Sequence, residues 1–178
     1  MINLDRRQDR LEQFTKQAED LGITYRRFQA VEATDPKLGC KLSHIAALSI
    51  CKDPVAFIFE DDSMFVEDFQ AKFEEAMATV PDDWEMLYLG AHLLQSEKVN
   101  DQWARSLECS STHAYAVKAH LIPRLIKQAM AMDGHTDVAF SSLHKEIKAY
   151  AARPTLVYQG ASYSDLQGVD VDYKYLYF

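Results

Sequence analysis

The sequence predicts one α/β domain built on a largely parallel sheet, and three observations carry that prediction. Strand-like and helix-periodic segments alternate through the first half of the chain, the order that lays a parallel sheet between helices. Val55-Ala56-Phe57-Ile58-Phe59 is a continuous apolar run of strand length. The 178 residues, 48% hydrophobic, suffice for one sizeable core and are too few for two ordinary domains, so residues 1–178 are taken as a single unit.

Each element has a local reason. Ile2-Asn3-Leu4 is a short apolar stub that reads as a first strand. Asp5 followed by Gln8 has the form of a capping box, and Leu11, Phe14, Ala18 and Leu21 continue at helical spacing until Gly22 stops the helix. Residues 23–28 are β-branched and aromatic and predict a second strand. Residues 30–39 carry turn residues, including Asp35-Pro36, and a helix is expected over 41–51, with Leu42, Ile45 and Leu48 on one face and Asp53-Pro54 as its break. The apolar run at 55–59 fits a central strand buried on both faces. Phe69, Phe73, Ala76 and Met77 mark a helix ending near Pro81, and 86–89 a strand closed by Gly90. Residues 91–108 are polar and weakly patterned and read as a loop. Strand resumes at 112–117, a helix with a wide apolar face covers 121–130 up to Asp133-Gly134, and a further helix is expected over 137–147. Residues 148–158 look extended around Pro154, and the tail from Gly160 shows no period.

Composition excludes several classes. A formal net charge of −8 argues against nucleic acid or an anionic membrane as the main partner, while leaving room for a local basic pocket for phosphate. No apolar run approaches the roughly 18 residues of a membrane span. The opening Met1-Ile2-Asn3-Leu4-Asp5 lacks the apolar stretch of a signal peptide, so a cytoplasmic location is expected, with any membrane association peripheral and through the substrate. Cys40, Cys51 and Cys109 are odd in number and lack CxxC spacing, which suits buried free thiols better than a disulfide framework or zinc site.

The chemistry-bearing residues each admit two readings. Glu60-Asp61-Asp62 directly follows the apolar strand, where open α/β sheets bind ligands. Three adjacent carboxylates repel unless a hard cation sits among them; the bland alternative is a solvated acidic loop. Asn3, Arg6, Arg7 and Arg10 cluster after the first strand and suit a pyrophosphate, or line a solvated helix face. Lys41, Ser43 and His44 follow Gly39 near a helix start, a place that favours anions, although His44 equally suits a hydrogen-bonded core. His113 is a metal or sugar contact or a satisfied buried histidine; Asp137 is an N-cap or a general base. Ser162-Tyr163-Ser164-Asp165 fits a loop closing on a ligand, or a plain turn.

Taken in order, these segments resemble glycosyltransferase family 25, the lipooligosaccharide and procollagen galactosyltransferase group. Ile2-Asn3-Leu4-Asp5-Arg6-Arg7 with Asp9-Arg10 resembles the family's opening, and Phe28-Gln29-Ala30-Val31 the segment after its second strand. Gly39-Cys40-Lys41-Leu42-Ser43-His44 is similar to its Gly-Cys-x-x-Ser-His motif, Phe59-Glu60-Asp61-Asp62 to its acidic metal motif, Leu87-Tyr88-Leu89-Gly90 to the strand that follows. Thr112-His113-Ala114-Tyr115 and the later Gln159 and Ser164-Asp165 complete a resemblance that runs almost end to end.

The resemblance implies a GT-A fold with a Rossmann-like, mostly parallel mixed sheet. It implies a UDP-sugar donor of galactose or glucose, Mn²⁺ or another divalent cation, inversion at the anomeric carbon, and a glycan or glycoprotein acceptor, as in lipopolysaccharide biosynthesis. Carried onto this chain, Asp62 is the metal ligand, with Asp61 and His113 beside it. Glu60 and Asp61 contact ribose, sugar or metal-bound water; Asn3, Arg6, Arg10 and Ala30 hold the nucleotide; Ser43 and His44 face the sugar or diphosphate. Asp137 is the candidate base and Asp165 a second candidate, as base or further metal ligand. The stretch before Thr112 is short, so trimmed acceptor loops are expected. Two other readings compete: a receiver domain, whose acidic pair would follow the first strand rather than the third, and a catalytically inactive nucleotide-sugar-binding module of the same fold.

Overall fold

A computed structural model describes residues 1–176. Along the chain run β1 (Ile2–Asn3), α1 (Gln8–Asp20), β2 (Phe28–Gln29), α2 (Pro36–Ser49), β3 (Val55–Phe59), β4 (Ser63–Phe65), α3 (Phe69–Ala78), β5 (Met86–Lys98), β6 (Trp103–Lys118), α4 (Ile122–Ala131), α5 (Thr136–Ser141), β7 (Ala149–Ala152), β8 (Val157–Gln159), β9 (Ser162–Ser164) and β10 (Val169–Val171). The centre is a sheet of order β3-β6-β5-β7, extended by a parallel bridge from Ile2 to Glu60 that brings in the parallel pair β1–β2. The architecture is therefore a mixed sheet flanked by helices. Its balance leans further towards antiparallel pairing than the alternation of elements suggests, because β6 runs antiparallel to both β3 and β5, and β5–β7 is the parallel pair of the central four.

The cause lies in the segment read as a loop. Residues 91–108 are mostly strand: β5 and β6 form one long hairpin, with register shifts near Gly90 and Gln95. At its tip the Asn100 side chain accepts from the backbone N–H groups of Gln102 and Trp103, and the Trp103 ring is fully buried, its Nε1 donating to Ala76 O at 2.7 Å. The outer half of β5 is exposed, so burial imposes no alternation there for periodicity to reveal.

Other differences are also local. Asp5 does not cap α1; its carboxylate accepts from Arg27 and Gln29, while Gln8 Nε2 donates to the Asp5 carbonyl. Helix α2 starts at Pro36 rather than at residue 41, because Asp35 accepts from Lys37 N at 3.0 Å and Pro36 suits the first turn. Strand β3 is not buried on both faces: Phe57 is 44% exposed and meets Phe73 edge-on.

Elsewhere the sheet obeys period two and sorts the core into two layers. Met86, Tyr88, Tyr115 and Val117 face α2, α4 and α5 with Leu48, Leu125 and Phe140. Leu87, Leu89, Ala114 and Ala116 face α1 and α3 with Phe14, Phe69 and Trp103.

Candidate active site

At the carboxyl end of β3 a cleft of about 780 Å³ opens between the turn after β1, the start of α2, residues 110–112, the start of α5, and the segment from Gln159. The Ile2–Glu60 bridge brings the first strand against the acidic triplet. Asn3, buried, donates from Nδ2 to Asp61 Oδ2 at 2.7 Å and accepts at Oδ1 from Arg27 Nε at 2.9 Å. Its amide thus sets the Asp61 carboxylate. Ala30 closes the same wall, its N–H donating to the Asn3 carbonyl.

Arg10 reaches in from α1. Its Nη1 donates to Asp61 Oδ1 at 2.9 Å and Asp62 Oδ2 at 3.3 Å; its Nη2 donates to Ser162 Oγ and the Tyr163 carbonyl. Arg10 Nε and Asp62 Oδ1 are buried with no hydrogen-bond partner. Burial, and then repulsion from Glu60, push the Asp62 carboxyl up to about 7. Asp61 is also raised by burial, with Arg10 and Asn3 opposing the shift.

Glu60 is held from behind. Its Oε1 accepts from His44 Nε2 at 3.2 Å and from the Thr112 hydroxyl at 3.0 Å, and His44 Nδ1 meets the Tyr115 hydroxyl at 3.1 Å. Burial lowers the His44 pKa, but Tyr115, Cys40 and Glu60 outweigh it and hold the ring well above its ordinary range. His44 supports Glu60, with both ring nitrogens engaged and 1% of the residue exposed. Ser43 is likewise structural in its bonds: its Oγ donates to the Gly39 carbonyl and accepts from Val31 N. Gly39 lets that loop approach, since a Cβ there would lie 2.8 Å from the Val31 carbonyl. The Gly39 to His44 motif therefore clamps the cleft-lining loop at 30–34 onto α2.

The remaining candidates divide. Asp137 lines the cleft, accepting at Oδ2 from the N–H of Ser111, a residue at φ 78°, and at Oδ1 from Val138 N. Asp165 also lines it, but Arg6 Nη2 and Arg7 Nη1 hold its two oxygens at 2.8 and 2.6 Å, and these bonds keep it below the usual carboxylate range despite burial. Arg6 also pairs with Glu32. His113 departs from expectation: it is fully buried outside the cleft wall, its Nε2 bonded to the Val157 carbonyl at 3.0 Å. Within 112–115 the His113 carbonyl accepts from the Glu60 N–H at 2.7 Å and the Thr112 hydroxyl donates to Glu60 Oε1, while Tyr115 reaches Glu60 through His44. The hydroxyl-bearing pattern around His113 was the available signal.

The cleft thus sets an acidic triplet at a strand end against arginines. The sequence model of glycosyltransferase family 25 (LPS biosynthesis protein) matches residues 32–139. The chain belongs to glycosyltransferase family 25. No curated protein matches it. The family 25 span contains Ser43, His44, Glu60, Asp61, Asp62 and Asp137, while Asn3, Arg6, Arg10 and Asp165 lie outside it. The family 25 enzyme is a glycosyltransferase, so its cleft has to take a sugar donor and an acceptor. Among the described residues, no helix is long and apolar enough to cross a membrane.

Proposed function

We propose that the enzyme transfers a hexose, galactose or else glucose, from a UDP-sugar to a glycan hydroxyl with inversion, in a GT-A-type site that uses Mn²⁺ or a similar divalent cation. One observation carries this reading. Glu32, Glu60, Asp61, Asp62, Asp137 and Asp165 line the cleft, six carboxylates against the guanidiniums of Arg6 and Arg10 with Arg7 behind Asp165 and the His44 ring on Glu60. A nucleotide diphosphate adds further negative charge, and like charges crowded into a partly buried cleft need a cation among them.

Among the described residues, no group of three or more His, Cys, Asp and Glu side chains forms a metal cage of protein ligands alone. Asp61 and Asp62, with the buried and unbonded Asp62 Oδ1, fit instead a hard cation that draws its other ligands from phosphate and water. The cation, when bound, supplies Lewis-acid stabilisation of the charge on departing UDP. The chain does the rest. Arg6 and Arg10 bind the diphosphate, Ala30 and its loop border the nucleoside, and Glu60, fixed by His44 and Thr112, orients the sugar. Asp137 takes the proton from the acceptor hydroxyl on the side opposite the leaving group. Its Oδ2, oriented by Ser111 N–H, suits that part better than Asp165, which the arginines engage fully.

The family description favours a lipopolysaccharide-type glycan as acceptor over a protein hydroxyl. Three free thiols, Cys40, Cys51 and Cys109, support a reducing compartment such as the cytoplasm.

Calorimetric titration of UDP, with Mn²⁺ and then with EDTA, tests the reading. Binding that requires Mn²⁺ supports it and opens a screen of UDP-sugars and acceptors. Binding under neither condition sinks it and leaves family membership as a statement of ancestry alone.

A further inference from the structure

The cation proposed above and Arg10 need the same carboxylates. Arg10 Nη1 already bridges Asp61 Oδ1 and Asp62 Oδ2, and Arg10 is 11% exposed at its side chain against 9% and 13% for the two aspartates. A divalent ion on Asp62 would sit beside a buried guanidinium, and like charges so close disfavour one another strongly in a partly buried site. Both sides of the present pairing are incompletely satisfied. Arg10 Nε and Asp62 Oδ1 have no partner, although Arg10 makes four donations and Asp61 is fully engaged by Asn3 and Arg10. An unsatisfied buried polar atom is costly, so each side of this pair gains from a partner that the present pairing does not give it.

We propose that Arg10 is an internal counter-ion that excludes the divalent cation from Asp61 and Asp62 until a nucleoside diphosphate arrives to take the guanidinium. Cation and nucleotide then bind cooperatively, and Arg10 is the residue through which each raises the affinity for the other. This rests on the metal-dependent reading of the same site. The exchange also connects the site to the segment that closes it, because Arg10 Nη2 leaves Ser162 Oγ and the Tyr163 carbonyl when it moves. Arg7 holds that segment independently through Asp165, so it stays attached.

The test compares the wild type with Arg10→Gln, Arg10→Met and Arg10→Lys, with thermal unfolding as a check on folding. Mn²⁺ affinity is measured by calorimetry and by Mn²⁺ paramagnetic resonance, without nucleotide and then with saturating UDP. Arg10→Gln and Arg10→Met are expected to bind Mn²⁺ alone at least tenfold more tightly than the wild type. The factor by which UDP raises Mn²⁺ affinity, of a size typical for coupled sites at roughly 5–150-fold, is expected to collapse in both. Arg10→Lys keeps the charge and is expected to stay near the wild type without nucleotide. Mn²⁺ binding by wild type with UDP, combined with unchanged or weaker Mn²⁺ binding by folded Arg10→Gln and Arg10→Met alone, overturns the exchange and leaves the metal reading standing. Absence of Mn²⁺ binding by wild type even with UDP overturns the metal reading itself, and the exchange with it.

Discussion

Gly90 presses its bare Cα against the backbone of Val157 so closely that a Cβ there would lie 1.6 Å from the Val157 carbonyl oxygen and 2.7 Å from His113 Nε2. His113 bonds the same carbonyl. The contact seats the segment after β7 on the long hairpin and so fixes Gln159 and the strand β8 beside the acidic triplet. The obstacle to any side chain is backbone rather than a flexible tip. Gly90→Ala is therefore expected to destabilise the domain by about 3 kcal/mol or more, at the upper end for an overpacked core. Urea unfolding checks this, and a variant within about 0.5 kcal/mol of wild type would mean that the two backbones part freely.

The Tyr115 hydroxyl reaches the acidic triplet through His44. Tyr115→Phe leaves His44 Nδ1 buried without its hydroxyl partner, at a cost of about 1–3 kcal/mol. It also frees the ring that orients Glu60, so transfer is expected to fall roughly 10–100-fold, the range for partners standing behind a site's ligands. Urea unfolding and steady-state UDP release from a UDP-sugar measure the two effects. A stability loss with unimpaired turnover would confine Tyr115 to the core.

These connections show what periodicity and motif order reveal and what they do not. Glu60-Asp61-Asp62 was legible because its context is local: an apolar strand ends, and charge follows at once. Arg10 was legible as a cleft arginine, but its pairing with Asp61 spans 51 positions and depends on how α1 lies across the strand ends. Asp35-Pro36 read as a turn, yet the same two residues make an N-cap and first helical residue, and only the chain that follows decides between them. The hairpin was missed for a different reason. Leu93, Gln95 and Glu97 pair with Cys109, Glu108 and Arg105, but β5 from Gln95 onward is exposed, so backbone pairing rather than burial defines the strand. His113 read either as a metal or sugar contact or as a satisfied buried histidine, and strand geometry favours the second by turning its ring towards Val157.

His144 makes stability depend on pH. It is fully buried between the Tyr88 hydroxyl at 3.1 Å and Ser106 Oγ at 2.9 Å, and burial, aided by the nearby Arg105 guanidinium, lowers its pKa from 6.5 to about 4. The unfolded chain therefore accepts a proton that the folded one refuses. The contribution is fully present above pH 6.5 and is lost as pH falls towards about 4. Its ceiling is about 3 kcal/mol, by linkage over that shift. Urea unfolding at several pH values is expected to show the wild type losing stability across this window more steeply than His144→Gln, which is weaker at neutral pH. Parallel pH profiles would show that the imidazole titrates alike in both states.

Asp137 and Asp62 should separate binding from transfer. Asp62 supplies the buried free oxygen of the proposed cation site, so Asp62→Asn is expected to lose Mn²⁺-dependent UDP binding. Asp137 stands across the cleft, tied to Ser111 N–H. An amide oxygen in Asp137→Asn can keep that bond but cannot take a proton from the acceptor. The variant is expected to fold and bind UDP with Mn²⁺ as the wild type does, while its transfer rate falls by about 10²–10⁴-fold, the contribution of a positioned base. Calorimetry gives the binding, and UDP release with a glycan acceptor gives the rate. Unchanged turnover would remove Asp137 from the chemistry and reduce it to the residue that holds Ser111 at its positive φ.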